Sequence, residues 1–221
     1  MPETMNWKEL QESIKRCTKC REAGLSGVRC PDVRVPSVEP RNVKLLFISE
    51  APPLNTQFYF YNENSNDRLR NRLFGILRDV GYEISTIKDF DDAGFFLLPT
   101  VKCPSARDGC NTAPRGRVIK LCAAEHLKRE LACIKPDGIC LLGRTALQGL
   151  SCLRDLRAVQ VHDSVDLSGT TVSKVAGSVL EVEISGKADI TLIPSYWPTQ
   201  RHRKYHEIGE HIKLLMDAIR F

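Results

Sequence analysis

The sequence predicts an α/β fold: three layers, α/β/α, around a central four-stranded parallel sheet, with a small β-hairpin insertion. Three observations lead there. Short apolar runs at residues 43–49, 94–99, 137–143 and 190–194 each stop at a proline, a glycine or a polar loop, as strands buried on both faces do. Segments with apolar residues three and four apart separate them, and alternating strands and helices require crossover connections and parallel pairing. Between residues 158 and 187 the texture changes: valines and other aliphatic residues from Val159 to Ile184 sit among Ser, Gly and Thr, which reads as a β-hairpin or meander.

The elements follow in order. Trp7, Leu10 and Ile14 form one apolar stripe, so residues 6–16 predict a short helix, which leads into Cys17-Thr18-Lys19-Cys20. From Gly24 to Pro40, glycines and prolines interrupt the chain too often for regular structure, so residues 1–42 read as an N-terminal helix and wrapping arm. The first strand, Val43 to Ser49, ends at Glu50-Ala51-Pro52-Pro53, and the double proline fixes a rigid loop. The aromatic run Phe58-Tyr59-Phe60-Tyr61 precedes a helix over 67–81, with Leu69, Leu73, Phe74 and Leu77 on one face, Asn66 or Asp67 as N-cap and Gly81 as C-cap. The second strand leaves the core at Pro99-Thr100-Val101-Lys102-Cys103. A helix from Val118 or Ile119 to about Ile134 stops before Pro136, a third strand runs to Gly143, and residues 144–150 give a short helix. The fourth strand ends at Ser195-Tyr196-Trp197-Pro198-Thr199, and an amphipathic helix spans roughly 203–220.

At 221 residues the chain suffices for one domain, residues 1–221, with a full core. No apolar run approaches the roughly 18–20 residues of a membrane span, and the N-terminus lacks the apolar core of a secretory signal. The expectation is a cytoplasmic, monomeric protein with no membrane partner. A net charge of +5 permits an acidic partner without requiring one. Position says more: Lys102, Arg107, Arg115, Arg117 and Lys120 surround the Cys103 loop, and Arg201, Arg203 and Lys204 follow another strand end. Either cluster alone reads as solvated surface, but two of them at strand ends favour a groove for a polyanion.

Nine cysteines, an odd number, do not suit a disulfide scaffold in a reducing compartment. Cys17 and Cys20 with Cys103 and Cys122 supply four thiolates, a set suited to zinc or to an iron-sulfur cluster. Cys133, Cys140 and Cys152 read as small core residues; Cys30 and Cys110 are alternative ligands. In open α/β sheets, ligands bind beyond the carboxyl ends of the strands. There the sequence offers Glu50 as a general base or polariser, and Phe58 and Phe60 as core packing or as a stacking surface for a planar ring.

In order along the chain, Cys17 and Cys20, Ser49 to Pro53, Pro99 to Cys103, Cys122, Leu142-Gly143 and Tyr196 to Thr199 resemble the motifs of the uracil-DNA glycosylase superfamily, in particular its iron-sulfur branch, family 4 and its neighbours. That branch has Gly-Glu-Ala-Pro-Gly after the first strand, Asn-Val-Val-Lys-Cys after the second and a terminal Tyr-His-Pro-Ser loop. The resemblance implies a [4Fe-4S] cluster held by Cys17, Cys20, Cys103 and Cys122. It also implies a base-binding cleft drawing on Phe58, Phe60, Pro99, Thr100, Ser195 and Trp197, and DNA held by Lys102, Arg107, Arg115, Arg201, Arg203 and Lys204. The departures are specific. The asparagine that reads the uracil edge in the family falls on Pro99, which has no donor, and the histidine that stabilises the departing base falls on Trp197. Glu50 is the polar residue of the first motif that persists.

The expected function is therefore a DNA repair glycosylase that extrudes a deaminated or damaged base, uracil or a deaminated purine such as hypoxanthine, and hydrolyses its N-glycosidic bond with Glu50 as catalytic group. A catalytically inactive, DNA-binding iron-sulfur protein of the same fold is the alternative. An iron-sulfur electron carrier would need no basic loops, and these argue against it.

Overall fold

The computed structural model describes residues 6–28, 38–55, 58–162, 167, 169–184, 186–199 and 204–219. Helices α1 (Trp7–Lys15) and α2 (Lys19–Glu22) precede strand β1 (Leu45–Ser49), helices α3 (Arg68–Asp79) and α4 (Ile87–Asp92) and strand β2 (Phe95–Pro99). A miniature antiparallel pair follows, β3 (Ala106–Arg107) with β4 (Cys110–Asn111). Helix α5 (Gly116–Cys122) continues through a π turn (Ala123–Leu127) into α6 (Lys128–Ile134), and β5 (Gly138–Leu142) leads directly into α7 (Gly143–Asp155). The chain closes with β6 (Val159–Val161), α8 (Val172–Val175), β7 (Leu180–Ile184), β8 (Lys187–Ser195) and α9 (Glu207–Ala218).

Among the described residues, the main sheet has six strands in the order β2-β1-β5-β8-β7-β6. The first four are parallel, as the apolar runs predict. The expected four-stranded sheet is nonetheless too small. β8 is nine residues long rather than five, and its early half pairs antiparallel with β7, which pairs antiparallel with β6. The 158–187 region thus extends the sheet instead of standing off it. Burial explains this: Leu180, Val182 and Ile184 alternate along β7 and join the main apolar core, so the segment has one face to hide and β8 offers the edge.

Alternation along β1 builds the outer layers. Leu46 and Ile48 enter a core with α1, α6 and α7, whereas Leu45 and Phe47 enter a second core with α3, α4 and α9. Each layer has local support. Asn6 and Glu9 form a capping box on α1, Asp67 caps α3 through the Arg70 amide, and Thr86 with Asp89 boxes α4. Trp7 meets Phe96 edge-on, with ring centroids 6.0 Å apart, and this fastens α1 to the sheet. Tyr61 occupies the free edge of β2: its hydroxyl donates to the Leu97 carbonyl at 3.1 Å and accepts from the Leu97 amide at 2.8 Å.

Candidate active site

The parallel order brings the carboxyl ends of β2, β1, β5 and β8 to one edge of the sheet. The ladder continues past the strands there: the Thr100 amide donates to the Ser49 carbonyl at 2.9 Å and the Val101 amide to the Glu50 carbonyl at 3.0 Å. Glu50 therefore leaves β1 on a backbone fixed on one side. On the other, the Thr145 hydroxyl, in the first turn of α7, donates to Glu50 Oε2 at 2.8 Å. Nothing in the sequence pattern points to Thr145, which lies 95 residues further on.

Glu50 opens onto a cleft of about 270 Å³. Phe60, Tyr59, Leu97, Pro99 and Trp197 supply its apolar walls; Ser105, Asn111 and Thr112 line it from β4 and the loops flanking the small hairpin. That volume, just under the ~300–1,000 Å³ of drug-sized sites, suits one flat heterocycle. Gly143, at φ +81°, lets β5 turn straight into α7 beneath Trp197; a Cβ there would lie 3.1 Å from Trp197 Cβ. Buried Arg70 fixes the aromatic loop, donating to the Phe60 carbonyl at 2.7 Å and the Asn62 carbonyl at 2.8 Å. Arg72 ties α3 to the Trp197 loop by donating to the Pro198 carbonyl at 3.2 Å.

The predicted base-binding residues divide. Phe60, Pro99 and Trp197 line the cleft, and Phe60 is at the same time core, packed edge-on against Phe74 and Phe90. Phe58 is 45% exposed and is not among the lining residues. Thr100 and Ser195 are sealed off. Thr100 is fully buried and donates its hydroxyl to the Ser49 carbonyl at 2.7 Å, while the Ser195 hydroxyl pairs with His211 Nδ1 at 2.9 Å.

The basic residues divide as well. Arg107 and Arg115 are exposed beside the hairpin; Arg107 pairs with Asp108 at 3.6 Å, and Arg115 donates to Ser26 Oγ at 3.0 Å. Lys204 is exposed at the mouth of the last loop, its ammonium 5.5 Å from the Tyr196 ring centroid and paired with Glu207. Arg201 and Arg203 lie outside the described residues. Lys102 corrects its expectation: it is buried, ion-paired with fully buried Glu130 at 2.5 Å and donating to the Pro99 carbonyl, so it is not available to a phosphate. Desolvation pushes the Glu130 carboxyl upward, and the Lys102 ammonium opposes it.

Behind the cleft, Cys17, Cys20, Cys103 and Cys122 line a single pocket with Ile14, Val101 and His126. Cys20 comes from α2, Cys122 from the end of α5 and Cys103 from the loop after β2; the Lys102 amide donates to Cys122 Sγ at 3.3 Å. Burial pushes the Cys122 thiol up to about 12. Among the described residues, no three His, Cys, Asp or Glu side chains gather around one point as ligands of a single metal ion. Of the other cysteines, Cys140 is core, as expected, and half-buried Cys152 packs against the core on the other face of the sheet; Cys133 is exposed instead, Cys110 is exposed on the hairpin, and Cys30 lies outside the described residues.

The fixed carboxylate, the aromatic cleft and the flanking hairpin all sit at the carboxyl edge of a parallel α/β sheet, and the chain belongs to the uracil DNA glycosylase superfamily, whose pattern matches residues 36–219. Among individual proteins, it is similar to the type-4 uracil-DNA glycosylase of Archaeoglobus fulgidus, with 26% identity over 193 residues that cover 86% of this chain and 82% of that protein. DNA is the substrate that this family of glycosylases implies. No helix among the described residues is long and apolar enough to cross a membrane.

Proposed function

We propose that the protein is a DNA glycosylase that receives one extruded, deaminated base in the cleft between Phe60 and Trp197 and hydrolyses its N-glycosidic bond. The observation that carries this reading is Glu50, whose carboxylate is held by Thr145 at the rim of an aromatic cleft of base size. As the bond between C1′ and the base nitrogen breaks, positive charge develops on the sugar. Glu50 offsets that charge and accepts a proton from the water that adds to C1′, while the electron pair of the broken bond leaves with the base. Trp197, in place of histidine, gives the base a ring face instead of a protonated donor, which favours the larger face of a deaminated purine.

Four thiols around one pocket supply the donor set of a [4Fe-4S] cluster, with zinc as the alternative occupant of the same thiolates. Cys17, Cys20, Cys103 and Cys122 would hold it. Bound there, it would tie the N-terminal arm to the start of the loop that carries the small hairpin and to the end of α5. Arg107, Arg115 and Lys204, with Arg201 and Arg203 on the same loop in sequence, would take the phosphates on either side of the extruded nucleotide.

The test is strand cleavage after alkali on oligonucleotides carrying uracil, hypoxanthine or xanthine, single-stranded and mismatched, with anaerobically purified protein. Excision by the wild type that disappears in Glu50→Gln, with DNA affinity kept, is the expected result. DNA binding without excision of any of these bases would make the protein a recognition module instead.

A further inference from the structure

Pro99 leaves the cleft without the carboxamide that reads a base edge, yet a carboxamide lines the cleft from another element. Asn111 sits in β4, is exposed, and faces the same cavity as Glu50 and Trp197. Its orientation is fixed chemically. The Leu54 backbone amide donates to Asn111 Oδ1 at 2.8 Å, and because an N–H can only donate, the oxygen must be the atom on that side. The Nδ2 group, with two N–H donors, is then on the other branch, and no described residue accepts from it. Ser105, which lines the same wall, has a buried hydroxyl with no partner among the described residues, so this side of the cleft has unused hydrogen-bonding capacity.

We propose that Asn111 is the specificity-determining residue of the cleft, its pinned carboxamide presenting two N–H donors to a ring carbonyl of the extruded base. This rests on the glycosylase reading above and adds the basis of selection. Deamination replaces an exocyclic amino group, a donor, by a carbonyl, an acceptor: N4 of cytosine becomes a uracil oxygen, and N6 of adenine becomes O6 of hypoxanthine. Donors on Asn111 match the carbonyl and oppose the amino group, and the seated base would shut water off from them, so that an amino base leaves them unpaired. The Leu54 amide performs the selection indirectly, since it prevents the amide from turning over and accepting from an amino group.

Asn111→Asp isolates the proposal. The carboxylate keeps an acceptor for the Leu54 amide, so the hairpin stays tied to the β1 loop, but both donors are gone. We expect excision of whichever carbonyl-bearing base the wild type removes to fall about 10- to 100-fold, the range for loss of a paired edge contact. The ratio of carbonyl to amino base, read as hypoxanthine against adenine and uracil against cytosine, should shrink with it. Asn111→Ser serves as a second variant should the aspartate disturb folding, and thermal melting identifies that case. Unchanged excision and an unchanged base ratio in a folded variant would overturn the assignment. Should the wild type excise nothing, the glycosylase reading fails, and Asn111 is then judged by fluorescence anisotropy with the same oligonucleotides. Tighter binding of the deaminated member of each pair, lost in Asn111→Asp, would still support the assignment; equal binding would refute it.

Discussion

At the scale of single residues, the most informative side chain is Lys102. A lysine just beyond a strand end beside four other basic residues reads as surface charge, because its partner, Glu130, lies 28 residues later in a helix and no local pattern couples them. Burial turns the pair into a structural element. Lys102→Met would leave the Glu130 carboxylate without its cation in a site with no exposure, and removing one member of such a pair costs about 3–5 kcal/mol. Urea unfolding should show that loss, and Lys102→Met combined with Glu130→Gln should recover much of it, since the double change removes both charges. Glu50 shows the opposite case. Its place at a strand tip before two prolines was legible, but Thr145, which aims it, was not, because a hydroxyl in the first turn of a helix has many ordinary reasons to be there.

Among the elements, the four parallel strands were legible as apolar runs because both their faces are covered, and a fully buried strand leaves a continuous signature. The antiparallel additions were legible as strands but not as members of the same sheet. Alternating burial reveals that a segment has an inner face; it does not say which edge covers it. Helix α4 carried a readable capping signal in Thr86 and Asp89, and only its shortness, six residues, hid it in the connection before β2. The contact between α9 and β8 has a measurable pH consequence. His211 is buried against Ser195 and Tyr196, and desolvation lowers its pKa, with Glu207 and Glu210 opposing in smaller degree. The unfolded chain then binds a proton more readily than the folded one, so stability is full above the ordinary histidine value, about 6.5, and declines as pH falls below it. Unfolding midpoints at pH 7.5 and 5.5 should differ more in the wild type than in His211→Asn.

For the molecule as a whole, charge is modest, and its distribution decides what it does. A net +5 gives a weak overall field, but Arg107 and Arg115 stand exposed beside the hairpin and Lys204 beside Tyr196, the cations that the proposed function assigns to the phosphates. Replacing Arg107 and Arg115 together by alanine should lower the slope of log affinity against log salt by about 2, at roughly one counterion per phosphate contact, without altering which base is preferred. An unchanged slope would remove these two residues from the DNA path.

The two tryptophans give the chain a pair of built-in optical probes. Trp7 is packed against Phe96 in the core on the other face of the sheet and does not line the cleft, whereas Trp197 lines the cleft and is half-buried. A planar base entering the site would quench emission from Trp197 alone, and undocking of the N-terminal arm would redden Trp7 alone. With Trp7→Phe, occupancy of the cleft could be followed in real time in unlabelled protein, independently of any chemistry that follows.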